Sequence, residues 1–280
     1  MAERASQLRR NVTPVRITAI HGGVRSERPD TLATEEPMEI RVGGPGQEAA
    51  AVAVTMRTPG GDYELAAGFL FTEGLVAPGE MQRVAYCDDL GDQEQRYNVV
   101  TVTLSRSFDH ERLHRNFFAT SSCGICGKAA LEDVEVRCAP VAGGTEVSAD
   151  VLMSLPEVLR AKQRVFDRTG GLHAAGLFTP AGVLITVRED VGRHNAVDKV
   201  IGEQLLADRV PLADHVLQVS GRASFEIVQK AAVAGIPVVS AVSAPSSLAV
   251  EAAERFGITL VGFVRDGRCN VYAHPERVTI

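Results

Sequence analysis

The fold class follows from residues 215–242, which read HVLQVSGRASFEIVQKAAVAGIPVVSAV. The apolar runs His215 to Val219 and Pro237 to Val242 predict two buried strands. Between them, Phe225 to Ala234 has the apolar periodicity of a helix. Strands that alternate with helices in this way are typical of an α/β fold, with a largely parallel sheet and helices on its faces.

The alternation continues on both sides of this stretch. The same periodicities predict further strands and helices, and Gly and Pro mark hairpin turns at Pro180-Ala-Gly182 and Asp266-Gly267. In chain order the further elements are a hairpin (173–178 and 183–187), a helix (196–207), a helix (248–256) and two strands (259–264 and 270–273).

One more helix is predicted ahead of the first hairpin. Ser154 and Glu157 have the spacing of a capping box, in which both side chains satisfy free N–H groups of the first turn. This helix would begin at Ser154, run to about Asp167 and end at Gly170-Gly171. We therefore predict an α/β domain over residues 146–280.

The N-terminal half has a different pattern. Residues 1–14 predict a flexible arm, and Arg25 to Asp30 is polar without a clear periodicity. Residues 15–145 predict a smaller α+β sheet domain with a soft boundary near residues 140–150. Its predicted elements are strands at 15–20, 37–42, 48–57, 84–87 and 97–104 and a helix at 63–73.

Composition excludes several classes of protein. The chain has 280 residues, 45% of them hydrophobic, enough for a proper core. A net charge of −6, few aromatic residues and no Trp disfavour nucleic-acid binding. No secretory signal is present and no apolar run is long enough to span a membrane. Five cysteines, an odd number, fit a reducing compartment, so we expect a cytoplasmic protein.

Cys123 and Cys126 form a glycine-flanked Cys-x-x-Cys pair that predicts an accessible loop. Such pairs often contain a thiol of lowered pKa, and they serve metal binding, disulfide exchange or sulfur relay. A structural zinc site usually needs four ligands, and the other three cysteines are scattered. The preceding residues do not resemble a thioredoxin-like setting, which favours a sulfur relay. The alternative is two incidental cysteines on a surface loop.

Three strand-to-helix junctions are candidate binding sites. Small hydroxyl residues or glycine occupy residues 189–195, 220–224 and 243–247, and arginines occupy two of them. Ligands of open α/β sheets bind at such junctions, where helix N-termini attract phosphates. No Rossmann or P-loop fingerprint is present, so the pattern indicates only an anion or nucleotide-like ligand. Ordinary helix capping and ion pairing is the alternative.

A zinc deaminase is excluded by its missing ligands. That chemistry needs His-x-Glu followed by Pro-Cys-x-x-Cys, whereas His173 is followed by Ala174 and Ala175, and the cysteine pair precedes this histidine. We interpret His173 as a core or supporting residue. His194, next to Arg193, is the better candidate for a ligand contact.

Five motifs together resemble the FdhD-type sulfur carrier family, the accessory proteins of formate dehydrogenase. They occur in the family's order and span most of the chain from Glu35 onward. They are Ser121-Ser-Cys-Gly-Ile-Cys-Gly-Lys128, Gly170-Gly-Leu-His-Ala-Ala-Gly176, Arg188-Glu-Asp-Val-Gly-Arg-His-Asn-Ala-Val-Asp-Lys199, Val219-Ser-Gly-Arg222 and Val239-Ser-Ala-Val-Ser-Ala-Pro-Ser246.

The resemblance implies a cytidine-deaminase-like three-layer α/β/α domain and a sulfurtransferase activity. Sulfane sulfur would pass from a cysteine desulfurase to a persulfide on Cys123, assisted by Cys126. It would then pass to the molybdenum cofactor, bis-molybdopterin guanine dinucleotide, destined for formate dehydrogenase. The other hypothesis is a chaperone that binds cofactor and apoenzyme without carrying sulfur.

The resemblance also implies a cofactor site, a homodimer, and GDP as a mimic of the cofactor's terminal arms. Arg222, Arg265 and Arg268 would pair with phosphates. No metal is expected to be bound by the protein itself. The candidate cofactor-binding residues are Phe263, Val264, Arg265, Asp266, Gly267, Arg268, Ser220, Gly221, Arg222, Ser243 and His194.

Overall fold

A computed structural model describes residues 10–87, 97–109, 140–141 and 144–280 of the chain. The predicted loop with Cys123 and Cys126 lies outside these residues, as does much of the region in which we predicted the end of the N-terminal domain. The described part contains a six-stranded sheet, a four-stranded sheet, two two-stranded sheets and six α-helices.

The N-terminal part begins with a long hairpin that the sequence did not predict. Its first strand begins at Val12, inside the predicted flexible arm, and its second covers the polar segment that we left without an element. The hairpin turns at Gly22 and Gly23, both with positive φ. Its strands, β1 (Val12–His21) and β2 (Val24–Ala33), pair antiparallel along their whole length.

A four-stranded sheet follows the hairpin, with the order β4-β3-β6-β5. One helix, α1, lies between its second and third strands in the chain and is mostly buried. The elements are β3 (Glu36–Gly43), β4 (Ala50–Arg57), α1 (Asp62–Thr72), β5 (Met81–Tyr86) and β6 (Val99–Leu104).

The C-terminal part is the α/β half. Two of its helices, at Phe225–Ala234 and Ser247–Phe256, each follow a strand as the sequence predicts. In chain order the elements are β7 (Val147–Ser148), α2 (Ala149–Arg160), α3 (Arg164–Thr169), β8 (His173–Phe178), β9 (Leu184–Asp190), α4 (Arg193–Leu206), β10 (Val216–Val219), α5 (Phe225–Ala234), β11 (Val238–Ala241), α6 (Ser247–Phe256), β12 (Thr259–Arg265), β13 (Arg268–Ala273) and β14 (Val278–Thr279).

The main sheet has the order β13-β12-β11-β10-β8-β9 and is mixed. Only β10, β11 and β12 are parallel, because helices connect them. β8 and β9 form a hairpin that joins β10 antiparallel, and β13 returns antiparallel to β12. The predicted α/β class is confirmed, and the prediction of a largely parallel sheet is wrong. The finer cytidine-deaminase-like assignment remains a prediction.

The predicted start of α2 is also wrong. Ser148, not Ser154, is the N-cap, and its Oγ accepts a hydrogen bond from the backbone N–H of Val151 at 3.2 Å. Ser154 lies within the helix and donates to the carbonyl of Val151. The helix also ends earlier than predicted, at Arg160, and the short α3 precedes Gly170.

Helices α1 and α4 pack with their backbones in contact. Gly68 of α1 faces the carbonyl of Asp198, and Gly202 of α4 faces the carbonyl of Glu64. A Cβ atom at either glycine would overlap the opposing carbonyl oxygen. Because neither glycine has a side chain, the helix between the strands of the small sheet lies directly on a helix of the α/β half.

A buried ion pair within the α/β half contacts the segment that follows β4 of the small sheet. Lys199 Nζ lies 2.6 Å from the carboxylate of Asp190, and both side chains are at most 1% exposed. Thr58, just after β4, offers its carbonyl to Lys199 at 2.9 Å and donates its N–H to Asp190 at 3.1 Å. All the polar groups are therefore satisfied, which a buried charge pair requires.

Candidate functional site

A cleft of about 950 Å³ lies at the carboxyl ends of the parallel strands, where α/β proteins bind ligands. Its floor includes Ser220 and Val242, which directly follow β10 and β11. One wall is the turn after β12, and the opposite wall is formed by α2, α3 and the residues leading into β8. The volume is in the range of small-molecule sites.

Ser220 is fixed in the floor by hydrogen bonds to β8. Its Oγ accepts from the backbone N–H of Ala174 at 2.8 Å, and its own N–H donates to the Ala174 carbonyl at 2.9 Å. A Cβ atom on the next residue, Gly221, would lie 3.4 Å from Nδ1 of His173. Gly221 and the imidazole ring are therefore neighbours, although Gly221 does not itself line the cleft.

His173 lines the cleft as a neutral imidazole. Burial lowers its pKa, the nearby Arg193 guanidinium lowers it further, and the Asp190 carboxylate acts in the opposite direction. The ring therefore offers one donor and one acceptor at neutral pH rather than a positive charge. We interpreted this residue as core or supporting, and in the structure it is half-buried and lines the cleft.

The turn wall supplies an exposed cation. Arg265, Asp266 and Gly267 all line the cleft, and Asp266 and Gly267 both have positive φ. The Arg265 guanidinium lies over the Phe263 ring, 5.8 Å from its centroid. Its charge and its fork of donors suit phosphate oxygens.

Phe263 has φ of 53°, which is unusual for a bulky residue. Its N–H donates to the carbonyl of Ser243 at 3.2 Å. This hydrogen bond brings together two predicted binding segments, residues 263–268 and 243–247. The next residue, Val264, is buried in the core. These three residues support the turn and do not themselves line the cleft.

The helical wall presents one face of α2. Met153, Pro156, Glu157 and Arg160 line the cleft with helical spacing, and the buried Leu159 adds to the lining, while Leu152 and Leu155 are buried and do not line it. Arg160 pairs with Asp167 of α3, and its guanidinium lies 4.6 Å from the centroid of the Phe166 ring. We did not predict these residues, although their i, i+3, i+4, i+7 spacing is visible in the sequence.

Three predicted site residues lie away from the cleft. Arg222 and Arg268 are exposed and do not line it. His194 lies at the start of α4, where its Nε2 is 3.0 Å from Ser224 Oγ. Burial, and secondarily Arg193, lowers the pKa of His194 to about 4. The cleft thus brings together Ser220, Arg265, Asp266 and Gly267 of the predicted set, with Gly221 beside it.

No helix in the described ranges has the length and apolar character needed to cross a membrane. Within the same part of the chain, no three His, Cys, Asp or Glu side chains cluster in a way that could hold a metal ion. Cys123 and Cys126 lie outside this part of the chain, so the absence of a zinc site at these two cysteines remains a prediction.

Comparisons with known proteins agree with one another. The FdhD/NarQ family matches residues 33–279. A protein of Mycolicibacterium paratuberculosis named sulfur carrier protein FdhD is 54% identical over 269 residues, covering 94% of this chain and 97% of its own. A protein of the same name from Sulfolobus acidocaldarius is 45% identical, covering 96% of this chain and 99% of its own.

A solved structure is similar over nearly the whole chain. It is the crystal structure of a protein described as a formate dehydrogenase accessory protein, from Desulfotalea psychrophila. The TM-score is 0.75 at 26% sequence identity, with 96% of this chain and 100% of the other covered. By sequence and by structure, the chain belongs to the FdhD/NarQ family.

Proposed function

We propose that this protein is a sulfur carrier. It accepts sulfane sulfur from a cysteine desulfurase and transfers it to the molybdenum cofactor that formate dehydrogenase requires. The relatives named sulfur carrier protein FdhD support the sulfur-carrying role, and the accessory-protein structure supports the link to formate dehydrogenase. The observation that carries the cofactor part is the cleft, where Ser220 and Arg265 to Gly267 meet at the carboxyl ends of the parallel strands.

Cys123 is the proposed sulfur acceptor. Its thiolate attacks the outer sulfur of the desulfurase persulfide, and the donor cysteine leaves as a thiolate. Cys123 then carries a persulfide, with no net oxidation or reduction, because a sulfane sulfur moves from one thiolate to another. Cys126, three residues further on, shares or releases that sulfur.

The cleft is the proposed site for the nucleotide arms of the cofactor, which is the substrate rather than a resident group. Arg265 would pair with phosphate oxygens, and the N–H groups of the glycine turn would add donors. Neutral His173 and Ser220 would supply uncharged hydrogen-bonding groups at the floor. The net charge of −6 makes this local cation important for attracting an anionic ligand.

Sulfur loading tests the carrier function directly. The purified protein is incubated with a cysteine desulfurase and cysteine, and its intact mass is measured. We expect one added sulfur that a reductant removes and that is absent from Cys123→Ala. Cys269→Ala, which removes a half-buried thiol elsewhere, should load normally. Cys126→Ala should load but transfer poorly.

The outcome also separates the rival function. Full loading of Cys123→Ala would contradict the assigned acceptor. Tight binding of cofactor or GDP together with no sulfur on either cysteine would indicate a chaperone that only delivers the cofactor.

Nucleotide binding tests the cleft. Calorimetric titration with GDP should show binding that weakens with salt, because the phosphate contacts are ionic. Arg265→Ala should weaken it about tenfold or more, the value of a charge-assisted hydrogen bond. Arg222→Ala and Arg268→Ala should have smaller effects, because neither side chain lines the cleft. Equal losses of GDP affinity in all three variants would indicate that the nucleotide binds outside the cleft.

A further inference from the structure

The two walls of the cleft differ in chemistry. The turn wall provides the Arg265 cation and the backbone of Asp266 and Gly267. The helical wall provides an aromatic ring, Phe166, beside the planar guanidinium of Arg160. A nucleotide bound across the cleft would therefore direct its phosphates to the turn and its base to the helices, because bases stack on aromatic and guanidinium planes.

The helical wall has two carboxylates, and only one of them is already engaged. Asp167 is ion-paired with Arg160. Glu157 lies one turn before Arg160 on the same face of α2, is exposed, and lines the cleft. No hydrogen bond or ion pair to a described residue engages its carboxylate. Asp266 is a third carboxylate of the lining, but it lies on the turn wall beside Arg265, where the phosphates would bind.

We infer that Glu157 is the residue that selects guanine over adenine, an assignment that rests on the proposed nucleotide site. A carboxylate is an acceptor-only group with two oxygens. Guanine presents two adjacent donors, N1–H and the 2-amino group, which match those oxygens. Adenine presents an N1 lone pair at the same edge, which a carboxylate repels. Selectivity of this kind combines an attractive contact with the right base and a repulsive one with the wrong base.

The engagement of Asp167 by Arg160 strengthens the assignment. The ion pair holds Arg160 over Phe166 and removes the Asp167 carboxylate from competition. Glu157 is fixed in position by its backbone, since it lies in the second half of α2 and its carbonyl accepts from the N–H of Ala161 at 3.0 Å. The carboxylate and the stacking surface thus belong to one wall.

Three diphosphates and three variants of the full-length protein test the inference by calorimetry. GDP has both donors, IDP lacks the 2-amino group, and ADP lacks both. The wild type should bind GDP most tightly, IDP less tightly, and ADP at least about tenfold more weakly than GDP, since charge-assisted bonds are lost. In Glu157→Gln the ratio of GDP to ADP affinity should fall about tenfold, because an amide can donate to adenine N1.

The other variants separate charge and phosphate effects from base selection. Asp150→Asn removes the same charge from the first turn of α2, away from the cleft, and should leave the ratio unchanged. Arg265→Ala should weaken both nucleotides without changing their ratio. GDP binding with an unchanged ratio in Glu157→Gln overturns the role of Glu157 and leaves the nucleotide site standing. No binding of any diphosphate by the wild type overturns the nucleotide site, and the role of Glu157 with it.

Discussion

At the scale of single residues, His194 shows how position decides the behaviour of a side chain. The sequence placed it beside Arg193 and suggested a ligand contact. In the structure its ring instead faces Ser224, the N-cap of α5, with Glu226 3.7 Å away. Burial and the adjacent guanidinium disfavour its protonation. The neutral ring therefore connects the N-terminal ends of α4 and α5 through its contact with Ser224.

The lowered pKa of His194 predicts a loss of stability in mild acid. The unfolded chain takes up this proton near pH 6.5, and the folded chain only near pH 4. Acidification through that window therefore favours the unfolded state, and the stability is present above it. Denaturant unfolding of the wild type and of His194→Gln, measured at pH 7 and pH 5, should show a smaller pH effect in the variant. An NMR titration that placed the pKa of this histidine at 6.5 or above would contradict the prediction.

Single residues also show what the sequence could reveal about the site. Ser220 was predicted from the residues, because it directly follows an apolar strand run, whereas Arg265 to Gly267 were predicted from the family resemblance. Glu157 and Phe166 could not be placed, because nothing local shows that α2 and α3 lie across the ends of other strands. The position of His173 in the lining of the cleft could not be predicted for the same reason, because the residues that line the cleft beside it belong to other elements.

At the scale of secondary-structure elements, the contact between α1 and α4 depends on two glycines. Gly68→Ala and Gly202→Ala each place a methyl group against a backbone carbonyl, which cannot move out of the way as a side chain could. We expect each change to reduce the free energy of unfolding by about 3 kcal/mol or more, at the upper end of overpacking effects. Urea denaturation would measure the loss.

Gly144→Ala is the matched control for these substitutions. Gly144 is exposed, and a Cβ atom there would meet no atom within 4 Å. Its effect on the unfolding free energy should be small. Wild-type stability in both Gly68→Ala and Gly202→Ala would mean that the helices do not pack this closely.

Elements were predictable where local periodicity and final burial coincide. α5 was predicted with its observed bounds, because its apolar face and flanking glycine are local signals. β2 was missed, because it is polar, contains Pro29 and is mostly exposed on both faces. Both hairpins of the main sheet were predicted from their turns, whereas the antiparallel pairing of β8 with β10 was not, because strand order is a long-range property.

At the scale of the whole molecule, the pair of Lys199 and Asp190 connects the α/β half to the small sheet through hydrogen bonds with Thr58. Lys199→Met leaves the Asp190 carboxylate buried and unpaired, which typically costs about 3–5 kcal/mol. Adding Asp190→Asn removes that charge and should recover part of the stability. Denaturant unfolding of the single and double variants measures both effects. A double variant less stable than Lys199→Met alone would show that the charge itself is not the cause.

The assembly state is also a property of the whole molecule, and a homodimer remains our prediction. A cofactor with two nucleotide arms gives a reason for two copies of the cleft. Light scattering at micromolar concentration should give twice the chain mass of 29.9 kDa. A mass of one chain would contradict it.

The β1–β2 hairpin has a further consequence for behaviour at high concentration. Within the described part of the chain its two strands pair only with each other, so each leaves an outer edge of backbone groups that another molecule's strand could join. Pro14 interrupts one edge and Pro29 the other, and neither residue has an N–H group to offer an incoming strand. The prolines thus protect a long exposed hairpin from templated aggregation, and their replacement would make fibre formation easier while leaving the cleft intact.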